Sequence, residues 1–253
     1  MTNYPSNVSD SGWKIISKYL KTERNRKYDL REVWNALMYM VKTGCQWRML
    51  PQDFPRWQIV YYYFRKWMNE ELNDLILEKL RSIIRIKKGQ KPRATLGIMD
   101  SQSVRWGNNR SFKSYDGNKK VKGIKRHVVV DKNGFLLAVM VTVAHIHDSK
   151  AVMQLMRVLR ECFHSITVIL ADGGYCGGII DEVKKKFGYL LKIVMRRQSS
   201  DKSFKPVHKR WVVERTFSWF DNDRRLCRNY ELLMETSEEM VKLSAIKLLL
   251  NKI

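Results

Sequence analysis

The spacing of apolar residues changes near residue 90, and this change constrains the fold more than any other feature of the sequence. Before it, apolar residues recur every three or four positions, which is typical of amphipathic helices. After it, they form short runs bounded by turn residues, which is typical of strands alternating with helices. The basic stretch 85–93, which contains Gly89 and Pro92, separates the two patterns. We therefore predict a small helical domain over 1–90 and a second domain, built on a sheet, over 91–253.

The first part carries signals for where helices begin and end. Asp29 and Glu32 stand at the spacing of a capping box, in which two side chains satisfy free backbone N–H groups at a helix start. Gly44 is placed to end that helix, because glycine readily adopts the left-handed conformation that closes helices. Further helices are predicted behind Ser9, over 56–68 and over 72–83.

The second part predicts a mixed sheet flanked by helices. The four residues from Asp131 to Gly134 have the composition of a hairpin turn, and Thr236 with Glu239 again fits a capping box. The order is three strands, then helix and strand alternating twice, then two closing helices, which places the chain in the α+β or α/β class. Strands are predicted over 96–99, 124–130, 135–143, 166–171 and 189–194, and helices over 150–162, 178–187, 211–220 and 236–250.

The charge of the chain indicates its partner. Lys and Arg number 48 against 25 Asp and Glu, a formal net charge of +23. Such an excess repels itself unless a polyanion is the usual partner, which favours nucleic acid. A basic protein of membrane surfaces would share the charge but would carry a basic amphipathic helix, whereas the basic residues here cluster in two mixed, loop-like stretches.

Two further features exclude other classes of protein. There is no apolar run of about 18 residues and no signal-peptide pattern at the N-terminus, so we expect a cytoplasmic protein without a membrane partner. The cysteines, at positions 45, 162, 176 and 227, form no CxxC pair, which argues against a zinc ribbon or a disulfide framework.

Two acidic residues follow predicted strands directly. Asp100 comes after Leu-Gly-Ile-Met and Asp172 after Ile-Thr-Val-Ile-Leu-Ala, so both carboxylates are expected at strand ends on one edge of the sheet. Glu214 lies in a predicted helix from which a long side chain can reach back to that edge. Three carboxylates together are the ligands that Mg²⁺ prefers, and two ions roughly 3.5 to 4 Å apart would support phosphodiester cleavage.

By spacing alone, each of these acids also has an ordinary structural interpretation. A lone Asp after a strand is usually a turn or helix cap. A Glu between Arg210 and Arg215 on a helix is usually part of a surface ion pair. The catalytic interpretation therefore needs support from longer motifs.

Longer motifs provide that support and run through nearly the whole chain. They resemble the DDE transposases of bacterial insertion sequences, in the group named after insertion sequence five. The motifs are Thr43-Gly-Cys-Gln-Trp-Arg-Met-Leu-Pro, Phe54-Pro-Arg-Trp, Met99-Asp-Ser-Gln-Ser-Val-Arg, Lys122-Gly-Ile-Lys-Arg-His, Leu170-Ala-Asp-Gly-Gly-Tyr and Arg210-Trp-Val-Val-Glu-Arg-Thr-Phe.

This resemblance implies both a fold and an activity. The fold is ribonuclease H-like, and Asp100, Asp172 and Glu214 take the catalytic, metal-binding roles. The activity is metal-dependent cleavage of transposon ends and strand transfer into target DNA, with two Mg²⁺ ions, or Mn²⁺ as a substitute, in each active site. The partners are double-stranded DNA, as terminal inverted repeats and target, and a second copy of the chain in a homodimer on DNA.

The chain departs from the family pattern at two positions. Arg210 stands at the expected distance before Glu214, but Val207 replaces the usual Tyr and Asp221 stands where Lys or Arg is expected. Arg224 or Arg225 would supply that charge one turn later. An alternative is therefore a catalytically impaired DNA-binding regulator derived from a transposase; a general ribonuclease H-like nuclease is disfavoured by the attached helical domain.

Basic residues mark the expected DNA-binding surfaces. The stretch 105–126 holds eight Lys or Arg against Asp116 alone and is expected to lie over substrate phosphates, although a solvated loop is the alternative, as it is for the basic stretch 184–210. The 1–90 domain is expected to recognise the terminal repeats through a helix in the major groove. The predicted DNA-binding residues near the site are Arg105, Lys119, Lys120, Lys122, Lys125, Arg126, Arg210 and Arg215, and the basic residues of the first domain are Arg24, Arg26, Lys27, Arg31, Arg48, Arg56, Arg65 and Lys66.

The histidines are interpreted as structural. His145, His147 and Asp148 resemble a metal-binding cluster, but strand alternation would point Asp148 away from both histidines. Asp148 and Ser149 are better placed to cap the following helix. His127 is expected to be buried in a strand.

Overall fold

The computed structural model describes residues 4–20, 27–108, 110, 112–162, 165–175, 177–194 and 210–253. Its helices are α1 (Asp10–Ile16), α2 (Leu30–Thr43), α3 (Trp57–Asn69), α4 (Leu72–Lys87), α5 (Asp148–Cys162), α6 (Ile179–Phe187), α7 (Trp211–Asp221), α8 (Arg224–Cys227) and α9 (Met234–Leu250). Its strands are β1 (Leu96–Arg105), β2 (Ser114–Asp116), β3 (Val121–Val130), β4 (Leu136–Val143), β5 (Val168–Ala171) and β6 (Leu190–Ile193).

The chain divides into two units. The first comprises Met1–Pro92, Phe220–Arg228 and Glu239–Ile253, and the second comprises Arg93–Trp219 and Asn229–Glu238. From the sequence, the whole of 91–253 was predicted to form one domain, whereas the segments Phe220–Arg228 and Glu239–Ile253 belong to the first unit.

Buried polar contacts explain why the end of the chain joins the first unit. Glu239 of α9 is buried and accepts a hydrogen bond from the side-chain amide of Asn73 on α4. The ammonium of Lys242 on α9 lies 2.5 Å from the carboxylate of Asp74 on α4. The predicted capping box at Thr236 is therefore wrong, because α9 begins at Met234 and Glu239 bonds to another helix instead.

The helices of the first unit begin and end largely where the sequence predicts. The Ser9 hydroxyl accepts a hydrogen bond from the Gly12 N–H at 3.2 Å, and the Asp29 carboxylate accepts one from the Arg31 N–H at 2.8 Å. Gly44 ends α2 with a φ of +70°, in the left-handed region. None of the helices in the described ranges combines the length and apolar character needed to cross a bilayer.

The second unit is a mixed sheet with strand order β2-β3-β1-β5-β6, in which β4 also pairs with β3. The pairs β1–β3 and β3–β4 are antiparallel, and the pairs β1–β5 and β5–β6 are parallel. Helix α5 connects β4 to β5, and α6 connects β5 to β6. This confirms the predicted α+β class and the predicted succession of strands followed by helix and strand alternating twice. The three-residue strand β2 was not predicted.

Strand β1 extends beyond the apolar residues 96–99 from which it was predicted. Its parallel pairing with β5 ends at Ile98, but it continues to Arg105 as the antiparallel partner of β3. Asp100 therefore lies inside β1, opposite Val128, and not at a strand end as predicted. It comes just beyond the last residue that pairs with β5, so it still reaches the edge at which β5 ends.

Gly123 on β3 is required by the close approach of β1. A Cβ atom at this position would lie 2.0 Å from the carbonyl oxygen of Val104. We expect Gly123→Ala to lower the free energy of unfolding by about 3 kcal/mol, because the two strands must separate to admit the methyl group. Urea unfolding measures this loss.

Gly117 provides the matched control for this substitution. It lies in the turn between β2 and β3, and its added Cβ would meet nothing within 4 Å. Gly117→Ala is expected to change stability by less than about 0.5 kcal/mol. Equal losses for the two variants would show that the β1–β3 contact is not the cause.

Candidate active site

Three acidic side chains from distant parts of the sequence lie at one edge of the sheet. Asp100 belongs to β1, Asp172 follows the last residue of β5, and Glu214 lies in the first turn of α7. Asp100 is largely buried, with 15% of its side chain exposed, whereas 53% of the Glu214 side chain is exposed. The edge therefore presents one buried and two more accessible carboxylates.

The guanidinium group of Arg210 faces all three carboxylates. One of its terminal nitrogens lies 3.6 Å from Oδ2 of Asp100 and 3.9 Å from Oδ2 of Asp172. The other donates a 2.6 Å hydrogen bond to Oε1 of Glu214. The structure thus brings the predicted triad together, with a cation among its oxygens.

Backbone N–H groups hold the two aspartates in place. Oδ1 of Asp100 accepts a 2.7 Å hydrogen bond from the N–H of Ser101, and Oδ1 of Asp172 accepts one of 3.0 Å from the N–H of Gly174. In both residues the other oxygen, Oδ2, faces Arg210. The carboxylates are therefore oriented before any ligand arrives, which is the preorganisation that an electrostatic site requires.

Burial makes the charge on Asp100 costly. Burial, the largest influence, and the nearby charge of Asp172 together raise its pKa to about 6, against the lowering effects of the Ser101 hydrogen bond and the cations Lys119 and Arg210. The carboxylate is thus incompletely compensated by its surroundings. A site of this kind favours an additional cation.

The hairpin turn between β3 and β4 fixes helix α7, which carries Glu214. The Thr216 hydroxyl donates a 2.9 Å hydrogen bond to the carbonyl of Gly134, and Arg215 donates one of 2.9 Å to the carbonyl of Asn133. The guanidinium of Arg215 also lies 4.7 Å from the ring of Trp211 and 4.5 Å from the ring of Trp219. These contacts set the position of the first turn of α7 relative to the sheet.

The donor set has the chemistry of a divalent metal site, but its side chains surround a guanidinium. Three carboxylates offer the hard oxygen ligands that Mg²⁺ prefers. Across the ranges that the structure describes, no three His, Cys, Asp or Glu side chains are grouped closely enough to hold one ion.

Comparison with known families identifies the chain. The family described as "Transposase DDE domain" matches residues 91–240, more than half of the sequence, and the family described as "Putative transposase of IS4/5 family" matches residues 8–77. The chain belongs to the DDE transposase family. The activity of this family is DNA cleavage and strand transfer, so the predicted DNA transposase is confirmed at the level of the family.

The individual proteins that this chain resembles share less than a third of its aligned residues. A putative transposase for insertion sequence element IS402 from Burkholderia cepacia is 29% identical over 153 residues, which cover 58% of this chain and 70% of that protein. A piggyBac transposase synaptic complex with hairpin DNA aligns over 96% of this chain and 70% of that one, with 12% identity and a TM-score of 0.43. A mariner Mos1 paired-end complex with Mg aligns over 90% and 78%, with 11% identity and a TM-score of 0.32.

A second polar cluster, which was not predicted from the sequence, contacts β1 at Ser103, three residues after Asp100. The buried Nζ of Lys125 lies 3.3 Å from Oδ2 of Asp116 and 3.0 Å from Oδ1 of Asp148, and it donates a 2.9 Å hydrogen bond to the carbonyl of Ile146. We call Asp116, Lys125 and Asp148 the Lys125 cluster. The available signal was Asp116, the single acid in a basic stretch.

Asp116 of the Lys125 cluster organises the turn between β2 and β3, which carries Lys119. Asp116 accepts hydrogen bonds from the Ser103 hydroxyl at 2.6 Å and from the N–H of Lys119 at 3.1 Å. Burial raises the pKa of Asp116, but these bonds and Lys125 outweigh it and lower the pKa to about 2. Lys119 in turn donates to the carbonyl oxygen of Ser101 at 2.7 Å, next to Asp100. A chain of polar contacts therefore links Asp116 to the backbone beside Asp100.

Several predicted DNA-binding residues have other roles in the structure. Lys125 and Arg126 are buried, with 4% and 1% exposed, so the expectation that they contact DNA is corrected for both. They lie on β3, which is covered on both faces over most of its length. Arg215 is stacked between tryptophans, and the Lys119 ammonium bonds to Ser101. The side chains of Arg105, Lys120 and Lys122 are exposed.

The two departures from the family pattern have different outcomes. Val207 and most of the second basic stretch, like Arg24 and Arg26, lie outside the described residues. Asp221 is exposed at the end of α7. Of the two arginines that follow, Arg225 is buried and donates a 2.9 Å hydrogen bond to the carbonyl of Cys45, so it does not replace the expected basic residue.

The structure places His127 at the buried strand position that was predicted and His147 beside a neighbouring hydroxyl. Nδ1 of His147 lies 2.7 Å from the hydroxyl of Ser149, while Asp148 belongs to the Lys125 cluster. His127 is buried, with Nε2 2.9 Å from the Thr142 hydroxyl. Burial, together with Lys125 and Lys119, lowers the pKa of His127 to about 4, against the opposing charge of Asp148.

His127 predicts a pH dependence of stability. Its pKa is 6.5 in the unfolded chain and about 4 in the folded one, so below about pH 6.5 only the unfolded chain takes up the proton. The stability that neutral His127 gives to the folded chain is therefore fully present above pH 6.5 and is lost as the pH falls towards 4. We expect His127→Gln to remove about 2 kcal/mol of the stability loss between about pH 8 and pH 5, measured by urea unfolding. The control His145→Gln replaces an exposed ring and should keep the wild-type slope; an unchanged slope in His127→Gln as well would contradict the assignment.

Proposed function

We propose that this DDE transposase cleaves the ends of its own insertion sequence and joins them to target DNA, using divalent metal at Asp100, Asp172 and Glu214. The observation that carries the proposal is the convergence of these three carboxylates on one cationic group, although they come from β1, from the end of β5 and from α7. A permanent cation between them indicates how strongly this edge of the sheet attracts positive charge.

Each side chain has a defined part in this proposal. Asp100 and Asp172 present their Oδ2 atoms while their Oδ1 atoms accept backbone hydrogen bonds, and Glu214 supplies a carboxylate oxygen from a half-exposed side chain on α7. When bound, a pair of Mg²⁺ ions, or Mn²⁺ in their place, would activate the attacking water or 3′-hydroxyl and stabilise the leaving oxygen. Because the pKa of Asp100 is about 6, its carboxylate is mainly ionised at neutral pH and can serve as a ligand.

The proposed partner is double-stranded DNA that carries the terminal inverted repeats and the target site. The net charge of +23 supports it, as do the exposed side chains of Arg105, Lys120 and Lys122 in the unit that holds the triad. Two transposon ends require two active sites, so we further propose that two copies assemble on the DNA in the cytoplasm.

Within the first unit, we propose α3 as the helix that reads the terminal repeats. Its outer face presents Gln58, Tyr62 and Arg65, of which Tyr62 is 58% exposed, and the sequence has no acid between Phe54 and Asn69. Glutamine and arginine are side chains that read base edges in the major groove. By contrast, α2 is buried along most of its length, while α4 carries Asp74 and Glu78.

The direct test is DNA cleavage. A supercoiled plasmid bearing the DNA that flanks the gene on both sides is incubated with the full chain and Mg²⁺, Mn²⁺ or EDTA. We expect nicks at the element ends with either metal and none with EDTA. Binding without cutting in both metals would instead support a DNA-binding regulator, and cutting without preference for the ends would support a general nuclease.

A further inference from the structure

Arg210 lies among the carboxylates of Asp100, Asp172 and Glu214, which we call the DDE carboxylates. It is only 19% exposed, and its guanidinium lies within 4.0 Å of an oxygen from each of the three carboxylates. A guanidinium cannot lose its proton in a protein, so the charge at this position is permanent. From the sequence, Arg210 was predicted to bind DNA, and a surface ion pair was the ordinary alternative for a Glu between Arg210 and Arg215.

The three contacts of the Arg210 guanidinium differ in length, and the longer ones are the easier to break. The 2.6 Å contact to Glu214 is a short, charge-assisted hydrogen bond. The contacts to Asp100 and Asp172, at 3.6 and 3.9 Å, are longer than hydrogen bonds and are electrostatic only. Arg210 is therefore hydrogen-bonded to the half-exposed Glu214 and only weakly attracted to the two aspartates, whose Oδ1 atoms accept backbone hydrogen bonds.

Two lysines near the site, Lys119 and Lys125, contact other groups. The ammonium of Lys119 donates to the carbonyl oxygen of Ser101 at 2.7 Å and to its hydroxyl at 3.0 Å. Lys125 lies between Asp116 and Asp148. Arg210 is thus the cation that these contacts assign to the DDE carboxylates themselves.

We propose that Arg210 is a placeholder cation that occupies the centre of the DDE carboxylates without metal and is displaced when divalent metal binds. The inference rests on the proposed function, since it requires that metal binds these carboxylates. It has two consequences. Arg210 keeps three like charges together in the metal-free protein, and it weakens metal binding, because its ion pairs must be broken before an ion can enter.

The test compares Arg210→Met with Arg157→Met in the full chain without DNA. Arg157 is exposed on α5, so this control removes the same charge from the same unit but leaves the carboxylates alone. Mn²⁺ is titrated by calorimetry and by its effect on water-proton relaxation. We expect Arg210→Met to bind Mn²⁺ about tenfold more tightly than Arg157→Met, the factor that corresponds to about 1.4 kcal/mol of relieved competition.

Thermal unfolding supplies a second readout. Without metal, Arg210→Met should unfold at a lower temperature than the wild type, because the carboxylates then repel one another, and Mn²⁺ should raise its Tm by more than it raises the Tm of the wild type. Arg210→Lys keeps the charge and should stay close to the wild type in both measurements, which covers the case in which Arg210→Met folds poorly.

The possible outcomes separate the two proposals. If Asp100→Asn weakens Mn²⁺ binding but Arg210→Met and Arg157→Met bind Mn²⁺ equally, the placeholder role is overturned and the proposed function stands. If Asp100→Asn leaves Mn²⁺ binding unchanged, the ion does not bind at the DDE carboxylates and both proposals fail. Tighter binding in Arg210→Met that disappears in the double variant with Asp100→Asn supports both.

Discussion

Asp100→Asn is expected to lower the rate of DNA end cleavage on the order of 10³-fold or more, equivalent to about 4 kcal/mol of lost transition-state stabilisation. The substitution keeps the size of the side chain but removes the negative oxygen that faces the centre of the site at Oδ2. Binding of the same DNA should be retained, because the change adds no negative charge to the surface. Single-turnover cleavage and gel-shift assays on the same plasmid ends measure the two quantities.

The fold should not suffer from this substitution. Burial raises the pKa of Asp100 to about 6, so its ionised form is disfavoured by the folded state, and this cost is fully present above pH 6 and disappears as the pH falls towards 3.8. Asp100→Asn should therefore be at least as stable as the wild type at neutral pH. The matched control is Asp181→Asn, an exposed acid in the first turn of α6, which should cleave at the wild-type rate. Cleavage by Asp100→Asn at the rate of this control would remove Asp100 from the mechanism.

Lys125→Met is expected to lower the free energy of unfolding by about 3 to 5 kcal/mol at neutral pH. The change leaves Asp116, which is 3% exposed, and the partly buried Asp148 without the cation that lies between them. An uncompensated buried carboxylate is among the most destabilising defects that a substitution can produce. Urea unfolding followed by circular dichroism gives the size of the loss.

Two comparisons identify the Lys125 cluster as the cause. Lys122→Met alters an exposed lysine on the same strand and should cost less than about 0.5 kcal/mol. Adding Asp116→Asn to Lys125→Met removes one of the stranded charges and should restore part of the loss. A double variant no more stable than Lys125→Met alone would show that lost packing, and not unpaired charge, accounts for the effect.

Local signals predicted the secondary structure well, because caps, turns and apolar spacing act within a few residues. The caps at Ser9 and Asp29, the left-handed Gly44 and the turn at Gly134 all appear where the sequence placed them. The exceptions depend on distant partners. The extension of β1 past Asp100 requires β3 beside it, and the burial of Glu239 requires Asn73 on another helix.

The site was only partly predictable for the same reason. The motifs around Asp100, Asp172 and Glu214 resembled a family and so pointed to one site, but no pattern indicated that Arg210 would face all three. Its spacing of four residues from Glu214 indicates an ion pair on one helix and carries no information on the strands opposite. Likewise, the burial of Lys125 depends on covering both faces of β3, which strand alternation does not reveal.

In this proposal, the carboxylates of Asp100, Asp172 and Glu214 bind catalytic metal once the guanidinium of Arg210 has moved away from them. The most direct measurement is anomalous diffraction from crystals of the full chain soaked in Mn²⁺. The predicted result is an anomalous peak roughly 2 to 2.3 Å from an oxygen of Asp100 and of Asp172, with Glu214 turned towards it and the guanidinium of Arg210 moved out. Manganese bound elsewhere, with the three carboxylates still surrounding Arg210, would contradict the claim.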